Sequence, residues 1–315
     1  MVLAMQADDF GGPAALRPVE VDPGDPGPGR VRLRVRAAGV NPSDAKLLSG
    51  VFGRGRTPVR PGSEVAGVVT AVGSDAIGPL GEVGVGDEVV AFRVSGGWAE
   101  EVVVPASSVL SKPAALGWAA AAGLLLTGTT AVHLLEATRV SAGDTVLVHG
   151  ASGAVGSLVV QLARGRGARV IGTAGERGEA VVQRFGGEPV RYGPGLEERV
   201  RLLAPDGVDA ALDTAGTEEA LDVSVALVAD RSRIATIAGF EHAAALGGGI
   251  LLLGGGPGAD PGAALRDAAR APLLERAGRG ELEVVLGPSF ALRDAAEALA
   301  LVASGRAGGK VVLLP

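Results

Sequence analysis

The most regular apolar pattern in the chain starts at Asp144. Residues 146–148 form an unbroken apolar run suited to a strand covered on both faces, and Val155, Leu158, Val159 and Leu162 then repeat at the i, i+3, i+4, i+7 spacing of a helix docked on a sheet. Between them lies Gly150-Ala-Ser-Gly153-Ala-Val-Gly156, a turn whose glycines permit a sharp reversal and a close backbone approach to a diphosphate. The unpaired N–H groups and positive dipole end of the following helix favour that charge. The spacing departs from G-x-G-x-x-G, so its weight comes from the strand before it and the helix after it.

The strand–helix alternation continues beyond this unit. Strands are expected at 169–173, 189–192, 207–213 and 232–237, with helices at 177–185, 196–203 and 218–228 between them. Residues 250–253 add a candidate sixth strand and 262–278 a closing helix. Alternation of this period predicts a doubly wound parallel sheet. The first 118 residues have a different texture. Residues 30–36 alternate charged and apolar side chains, further strand candidates lie at 65–72, 87–92 and 99–104, and glycine-rich turns punctuate them. A twisted, barrel-like β-domain fits that pattern. Residues 116–135 then read as a helix. In the tail, 282–286 is an apolar stretch, 292–304 a helix, and 310–314 a strand expected to complete the first domain. The expected fold class is α/β: a β-barrel domain built from residues 1–118 and 281–315, and a Rossmann doubly wound domain from 119–280.

Composition narrows the possible partners. With 315 residues and 47% apolar content, the chain can fill about two cores. Its net charge is −6 and its basic residues are dispersed, which argues against a nucleic-acid partner. The densest basic spot, Arg164, Arg166 and Arg169, falls at the end of the first Rossmann-type helix, where cations offset the dipole. There are no cysteines, which excludes disulfides and thiolate metal sites and suits a reducing compartment. Met1-Val-Leu-Ala-Met-Gln lacks a basic segment and a signal-like apolar core, so a cytoplasmic location is expected. The apolar run at 114–126 is shorter than the roughly 20 residues that span a bilayer, and it reads as a core helix with no membrane partner. His133, His149 and His242 lie in separate elements without metal-cluster spacing and are read as packing or surface residues; His149 abuts the glycine turn.

Six ordered segments carry a family resemblance: Ala38-Gly-Val-Asn-Pro-Ser-Asp44, Pro61-Gly-Ser-Glu-Val-Ala-Gly67, Val85-Gly-Asp-Glu-Val89, Val148-His-Gly-Ala-Ser-Gly-Ala-Val-Gly156, Gly207-Val-Asp-Ala-Ala-Leu-Asp213 and Gly309-Lys-Val-Val312. Over nearly its full length the chain resembles a zinc-free medium-chain dehydrogenase/reductase of the quinone oxidoreductase type. The resemblance implies a GroES-like β-barrel catalytic domain built from both chain ends, a Rossmann domain between them, and a cofactor in the interdomain cleft. In the zinc-dependent alcohol dehydrogenase branch, the points that hold the metal correspond here to Asn41, Ser63 and a position near Leu126, none of which replaces those ligands; no metal is expected. A homodimer is expected from the resemblance and from the apolar residues 250–253 at the sheet edge.

NADPH is the expected cofactor. NAD-specific sites place Asp or Glu at the end of the second strand, whereas this chain reads Thr173-Ala174-Gly175 with Arg177 close by. Glu176 is the counter-candidate, either as a ribose ligand or as an early-helix residue. The phosphate turn would supply Gly150, Ala151, Ser152, Gly153, Ala154, Val155 and Gly156. By resemblance, Tyr192 approaches the adenosine phosphate or ribose, and Thr127 and Thr130 line the nicotinamide pocket. Ile237, Ala238 and Gly239 follow the fifth strand at the edge where Rossmann ligands bind.

A conjugated carbonyl accepts developing negative charge without a metal, so the expected substrate is a small apolar conjugated carbonyl: a quinone or an activated C=C bond in an enone, enal or enoyl compound. Asn41 is the candidate stabiliser of the acceptor oxygen, with turn formation before Pro42 as its alternative role. Lys46 is a candidate charge or proton source, and a solvated lysine is its alternative. Asp44 is read as a local cap and Glu64 as a buried structural carboxylate. Phe52, Phe92 and Trp98 are candidates for a substrate wall or for the core. Two other functions stay open: a non-catalytic NADPH-binding structural or regulatory protein, and an alcohol dehydrogenase-like enzyme.

Overall fold

The computed structural model describes the whole chain except Phe52, Gly53, Arg54 and Arg56, so the reading of Phe52 lies outside the described residues. Two compact units form: residues 1–126 with 271–315, and residues 127–270.

The first unit opens with β1 (Val2–Ala7) antiparallel to β2 (Leu16–Val21). Its central strand is β3 (Arg30–Val40), where Val31, Leu33 and Val35 are buried while Arg30, Arg34 and Arg36 are exposed. This is the period-2 alternation expected of a strand with one wet face. Helix α1 (Pro42–Ser49) follows at once, where the Asn-Pro pair by itself suggests a turn. Next come β4 (Glu64–Val72), the short hairpin β5 (Ile77–Gly78) and β6 (Gly81–Glu82), β7 (Glu88–Phe92), β8 (Glu101–Pro105) and β9 (Val109–Ser111). Helix α2 (Trp118–Ala137) carries the chain from the first unit into the second, the division falling after Leu126 and not after residue 118. By length and composition α2 could cross a membrane, longer than the apolar run read at 114–126, and 72% of its most apolar stretch is buried inside the protein.

The second unit runs β10 (Thr145–His149), α3 (Gly156–Gly165), β11 (Arg169–Ala174), α4 (Glu179–Arg184), β12 (Glu188–Arg191), α5 (Leu196–Leu203), β13 (Ala210–Asp213), α6 (Glu218–Leu227), β14 (Ile234–Thr236), α7 (Phe240–Ala245), β15 (Leu251–Leu252) and α8 (Ala263–Gly278). All six strands are parallel, in the order β12-β11-β10-β13-β14-β15. This is the doubly wound sheet expected, and its order reverses at β10, beside the glycine turn. The basic spot at the end of α3 is spent locally: Arg164 donates to the Ala168 carbonyl, Arg166 pairs with Glu136, and Arg169 forks onto Glu188.

The chain then returns to the first unit with β16 (Leu286–Ala291), α9 (Ala295–Ala303) and β17 (Lys310–Leu314). The apolar stretch at 282–286 is therefore loop up to Leu286, although Leu282 and Val284 within it are buried. Residues 310–314 belong to the first unit, pairing antiparallel with residues 38–40 of β3. The N-terminal part of β3 pairs instead with β8. The seven-stranded sheet encloses a core of Leu33, Val35, Leu48, Trp98, Leu299 and Leu313. Trp98 is wholly buried there and its indole N–H donates to the Gly39 carbonyl at 3.1 Å, so it is core and not a substrate wall.

Candidate functional site

In the second unit the glycine turn is closed by contacts only glycine allows. Gly150 has φ +72°, and a Cβ on Gly156 would lie 2.2 Å from the Gly150 carbonyl oxygen. The Gly150 N–H donates to Thr173 Oγ1 (3.1 Å) and the Ala151 N–H to the Thr173 carbonyl (3.0 Å), which ties the turn to the second strand. Gly153 N–H donates back to the Gly150 carbonyl at 3.0 Å. Helix α3 begins at Gly156 and winds straight on from the turn: the Ser157 N–H donates to the Gly153 carbonyl (2.9 Å), and the Leu158 and Val159 N–H groups to the Val155 carbonyl (3.1 and 3.0 Å), so the positive end of the helix lies at the turn. Ser157 Oγ, in that first turn, is buried without a hydrogen-bond partner among the described residues. Such a cradle suits a diphosphate.

The end of β11 is equally tight. A Cβ on Gly175 would meet the Tyr192 hydroxyl at 3.0 Å, and one on Gly178 would meet Ser152 Oγ at 2.3 Å, so Ser152, Gly175, Gly178 and Tyr192 gather at one corner. Ala174 and Gly175 offer no carboxylate. Glu176 leans toward Arg191 (3.9 Å), whose guanidinium is held by Glu179 at 2.6 Å. Arg177 is exposed, and Tyr192 is 63% exposed. An exposed arginine and phenol at the sheet edge match a phosphomonoester better than a bare ribose.

At the far side of the switch point, Asp213 organises two loops. Its buried carboxylate accepts from the Ala215 and Gly216 N–H groups (both 2.9 Å) and from Thr236 Oγ1 (2.7 Å), and Thr236 Oγ1 in turn accepts from Ala238 and Gly239. Ile237 N–H donates to the Asp213 carbonyl at 3.2 Å. The sequence carries Asp213 inside a family segment without marking this part; its one signal is a carboxylate ending an otherwise apolar strand. Thr127 and Thr130 are buried on α2. His149 is buried behind the turn with Nε2 3.1 Å from Ser224 Oγ, and burial lowers its pKa to about 4 against the pull of Asp213 and Glu219.

The first unit holds a second cluster. Asn41 caps α1: the Asp44 carboxylate accepts its backbone N–H at 2.9 Å, the cap expected of Asp44. Its side chain lies between two charges. Nδ2 donates to Glu64 Oε1 (3.1 Å), while Oδ1 accepts from the Lys310 ammonium. Lys310 also donates to Glu64 Oε1 at 2.5 Å, and Glu64 Oε2 accepts the Leu126 N–H at 2.9 Å. The Lys310 side chain is 1% exposed and that of Glu64 0%. Burial pushes the Asp44 carboxyl up to about 7, opposed by the Asn41 N–H, the Lys310 charge and the Gly62 N–H and reinforced by Glu64. Ser63 Oγ, next to this cluster in sequence, is buried without a partner among the described residues. Lys46 is half-buried on α1, and the bonds that join Asn41, Glu64 and Lys310 do not involve it. Among the described residues no three His, Cys, Asp or Glu side chains gather so as to hold a metal ion. Lys310 is the site residue that sequence reasoning misses, because a lysine opening an apolar strand reads as a solvated strand end.

Comparison with known proteins adds an independent line. Residues 27–114 match the alcohol dehydrogenase GroES-like domain, and residues 190–313 the zinc-binding dehydrogenase domain. The synaptic vesicle membrane protein VAT-1 homolog of Mus musculus is 37% identical over 199 residues, 62% of this chain and 48% of its own, so this chain spans about half the length of that relative. The quinone oxidoreductase of Rattus norvegicus is 35% identical over 222 residues, 68% of this chain and 66% of its own. Among solved structures, mycobacterial Rv1454c complexed with NADPH is 31% identical with a TM-score of 0.86, both chains being covered completely. The quinone oxidoreductase of Pseudomonas syringae pv. Tomato DC3000 is 28% identical with a TM-score of 0.84, again over 100% of each chain.

Proposed function

This chain belongs to the medium-chain dehydrogenase/reductase family, in its quinone oxidoreductase branch, and from that premise we propose that it is an NADPH-dependent reductase acting on a quinone or on the C=C bond of a conjugated carbonyl. The observation that carries the reading is the phosphate cradle of Gly150, Ala151, Ser152, Gly153, Ala154, Val155 and Gly156, set beside a second strand that ends at Ala174 without a carboxylate. NADPH, when bound, supplies the hydride. The turn holds the diphosphate against the α3 dipole, with Thr173 fixing the turn itself. Arg177 and Tyr192 hold the 2′-phosphate, Thr127 and Thr130 line the nicotinamide pocket, and Ile237, Ala238 and Gly239 face its other half. Asn41 donates an amide N–H to the acceptor oxygen as negative charge grows there. Lys46 is the proton source, with water or a hydroxyl as the alternatives.

The cofactor half of this reading is tested by titration. Wild type should bind NADPH more tightly than NADH, and Arg177→Ala should weaken NADPH about tenfold, the loss of one charge-assisted contact, while leaving NADH within about twofold. Equal affinities, or an Arg177→Ala variant indistinguishable from wild type, overturn the assignment. The chemical half is tested by following NADPH oxidation over quinones, 2-alkenals, cyclic enones and enoyl thioesters, then repeating the best acceptor with Asn41→Ala. A fall in kcat on the order of 100-fold is expected for a lost transition-state donor. If NADPH binds but no acceptor turns over, a binding protein replaces the reductase.

A further inference from the structure

The buried pair Lys310–Glu64 is built with more care than a structural ion pair needs. Two glycines make its chamber. A Cβ on Gly39 would lie 2.3 Å from Glu64 Oε1, and a Cβ on Gly123 would lie 2.6 Å from Lys310 Cγ, so any side chain at either position intrudes on the pair. One carboxylate oxygen, Glu64 Oε2, is committed to the Leu126 N–H; the other, Oε1, receives both Lys310 and the Asn41 amide. The carboxamide is the third corner of that triangle.

A carboxamide has an acceptor side and a donor side, and the two are easily interchanged by a half turn about the last side-chain bond. Here a half turn would set –NH2 against an ammonium and C=O against a carboxylate, two repulsive pairings in a dry environment. The flanking charges therefore permit one orientation. Of the two amide N–H bonds, one is spent on Glu64, and the other has no partner among the described residues. The Asp44 bond to the Asn41 backbone N–H fixes the other end of the residue.

We infer that Lys310 is a positioning residue for the proposed reduction: with Glu64 it locks the Asn41 carboxamide so that a single N–H, in one direction, is offered to the acceptor oxygen. This rests on the part given to Asn41 above. Lys310 touches neither hydride donor nor acceptor in this scheme; it acts through Asn41, and no bond to Lys310 is made or broken.

The test uses the intact protein with its best acceptor and four forms: wild type, N41A, K310M/E64Q, and the triple variant N41A/K310M/E64Q. Removing both charges together leaves no unpaired buried ion, so the double variant folds where K310M alone is at risk. The carboxamide that E64Q introduces can accept or donate, and so holds Asn41 in either orientation. The expected result is a kcat for K310M/E64Q lowered on the order of 10- to 100-fold, with NADPH affinity and acceptor KM within about twofold of wild type. The triple variant should be no slower than N41A, because both changes remove one interaction. A merely structural ion pair would leave kcat of the folded double variant at the wild-type value, and that result overturns the inference. So does a triple variant in which the two losses multiply, or a double variant that fails to fold. If N41A itself keeps full kcat, the part given to Asn41 falls first; a slow N41A beside a fast K310M/E64Q sinks the inference alone.

Discussion

Replacing Lys310 by methionine should destabilise the first unit by about 3 to 5 kcal/mol, the usual penalty for leaving one member of a buried ion pair behind. Glu64 is fully buried and, among the described residues, would keep the Leu126 N–H and the Asn41 amide as partners. Against a total stability of about 5 to 15 kcal/mol, this is about a fifth or more of what holds the fold. The measurement is clean because the chain has two tryptophans, and both Trp98 and Trp118 lie in the first unit. Urea unfolding followed by tryptophan fluorescence therefore reports on the unit that contains the pair. K310M should shift the midpoint strongly downward, and E64Q added to it should recover most of the loss, because the stranded charge is gone. A K310M midpoint equal to wild type would mean that Glu64 is solvated in solution, contrary to its burial here.

The second large effect is a dependence on pH with an unusual sign. Asp44 has a folded pKa of about 7 against an ordinary value of 3.8. A raised folded pKa means that the native state holds the proton more tightly than the unfolded chain. The associated stability is fully present below pH 3.8 and is lost as pH rises through about 7. At about 1.4 kcal/mol per unit, the part of the change that falls between pH 5 and pH 8 amounts to about 2 to 3 kcal/mol. Asp44→Asn keeps an oxygen for the Asn41 N–H but removes the titration. Wild type should thus lose tryptophan-reported stability between pH 5 and pH 8 relative to D44N, whose curve should run flatter. Parallel curves for the two proteins would refute the assignment to Asp44. His149 has the opposite sign: its depressed pKa gives stability present above 6.5 and lost as pH falls toward about 4.

The second unit is largely legible in the sequence, since parallel strands buried on both faces appear as apolar runs and the intervening helices repeat at 3.6 residues. The helix expected at 196–203 is found at Leu196–Leu203, and the strand expected at 250–253 pairs with β14 as Leu251–Leu252. Two short helices are not legible: α1 follows an Asn-Pro that reads equally well as a turn, and α7, Phe240–Ala245, is half alanine and marks no apolar face. The cofactor cradle is visible because its chemistry is local, carried by neighbouring glycines. The polar triangle is not, because its corners lie in three elements far apart in the chain: Glu64 and Lys310 each open an apolar strand, and nothing in either stretch indicates that the two charges meet. Trp98 shows the same limit. Aromatic character alone does not separate a pocket wall from a core, and the indole bond to Gly39 decides it.

Lys310 lies 246 residues beyond Glu64, and that separation sets an order of events during synthesis. At roughly 5 to 20 residues per second, a ribosome needs on the order of tens of seconds to travel from one to the other. For that interval Glu64 has no cation, and residues 38–40 of β3 have no β17 beside them. The second unit, continuous in sequence from 127 to 270, is complete before either vacancy can be filled. The first unit therefore closes last, around its own C-terminal strand, and the charge that completes the Asn41 triangle is delivered by the same strand that closes the sheet.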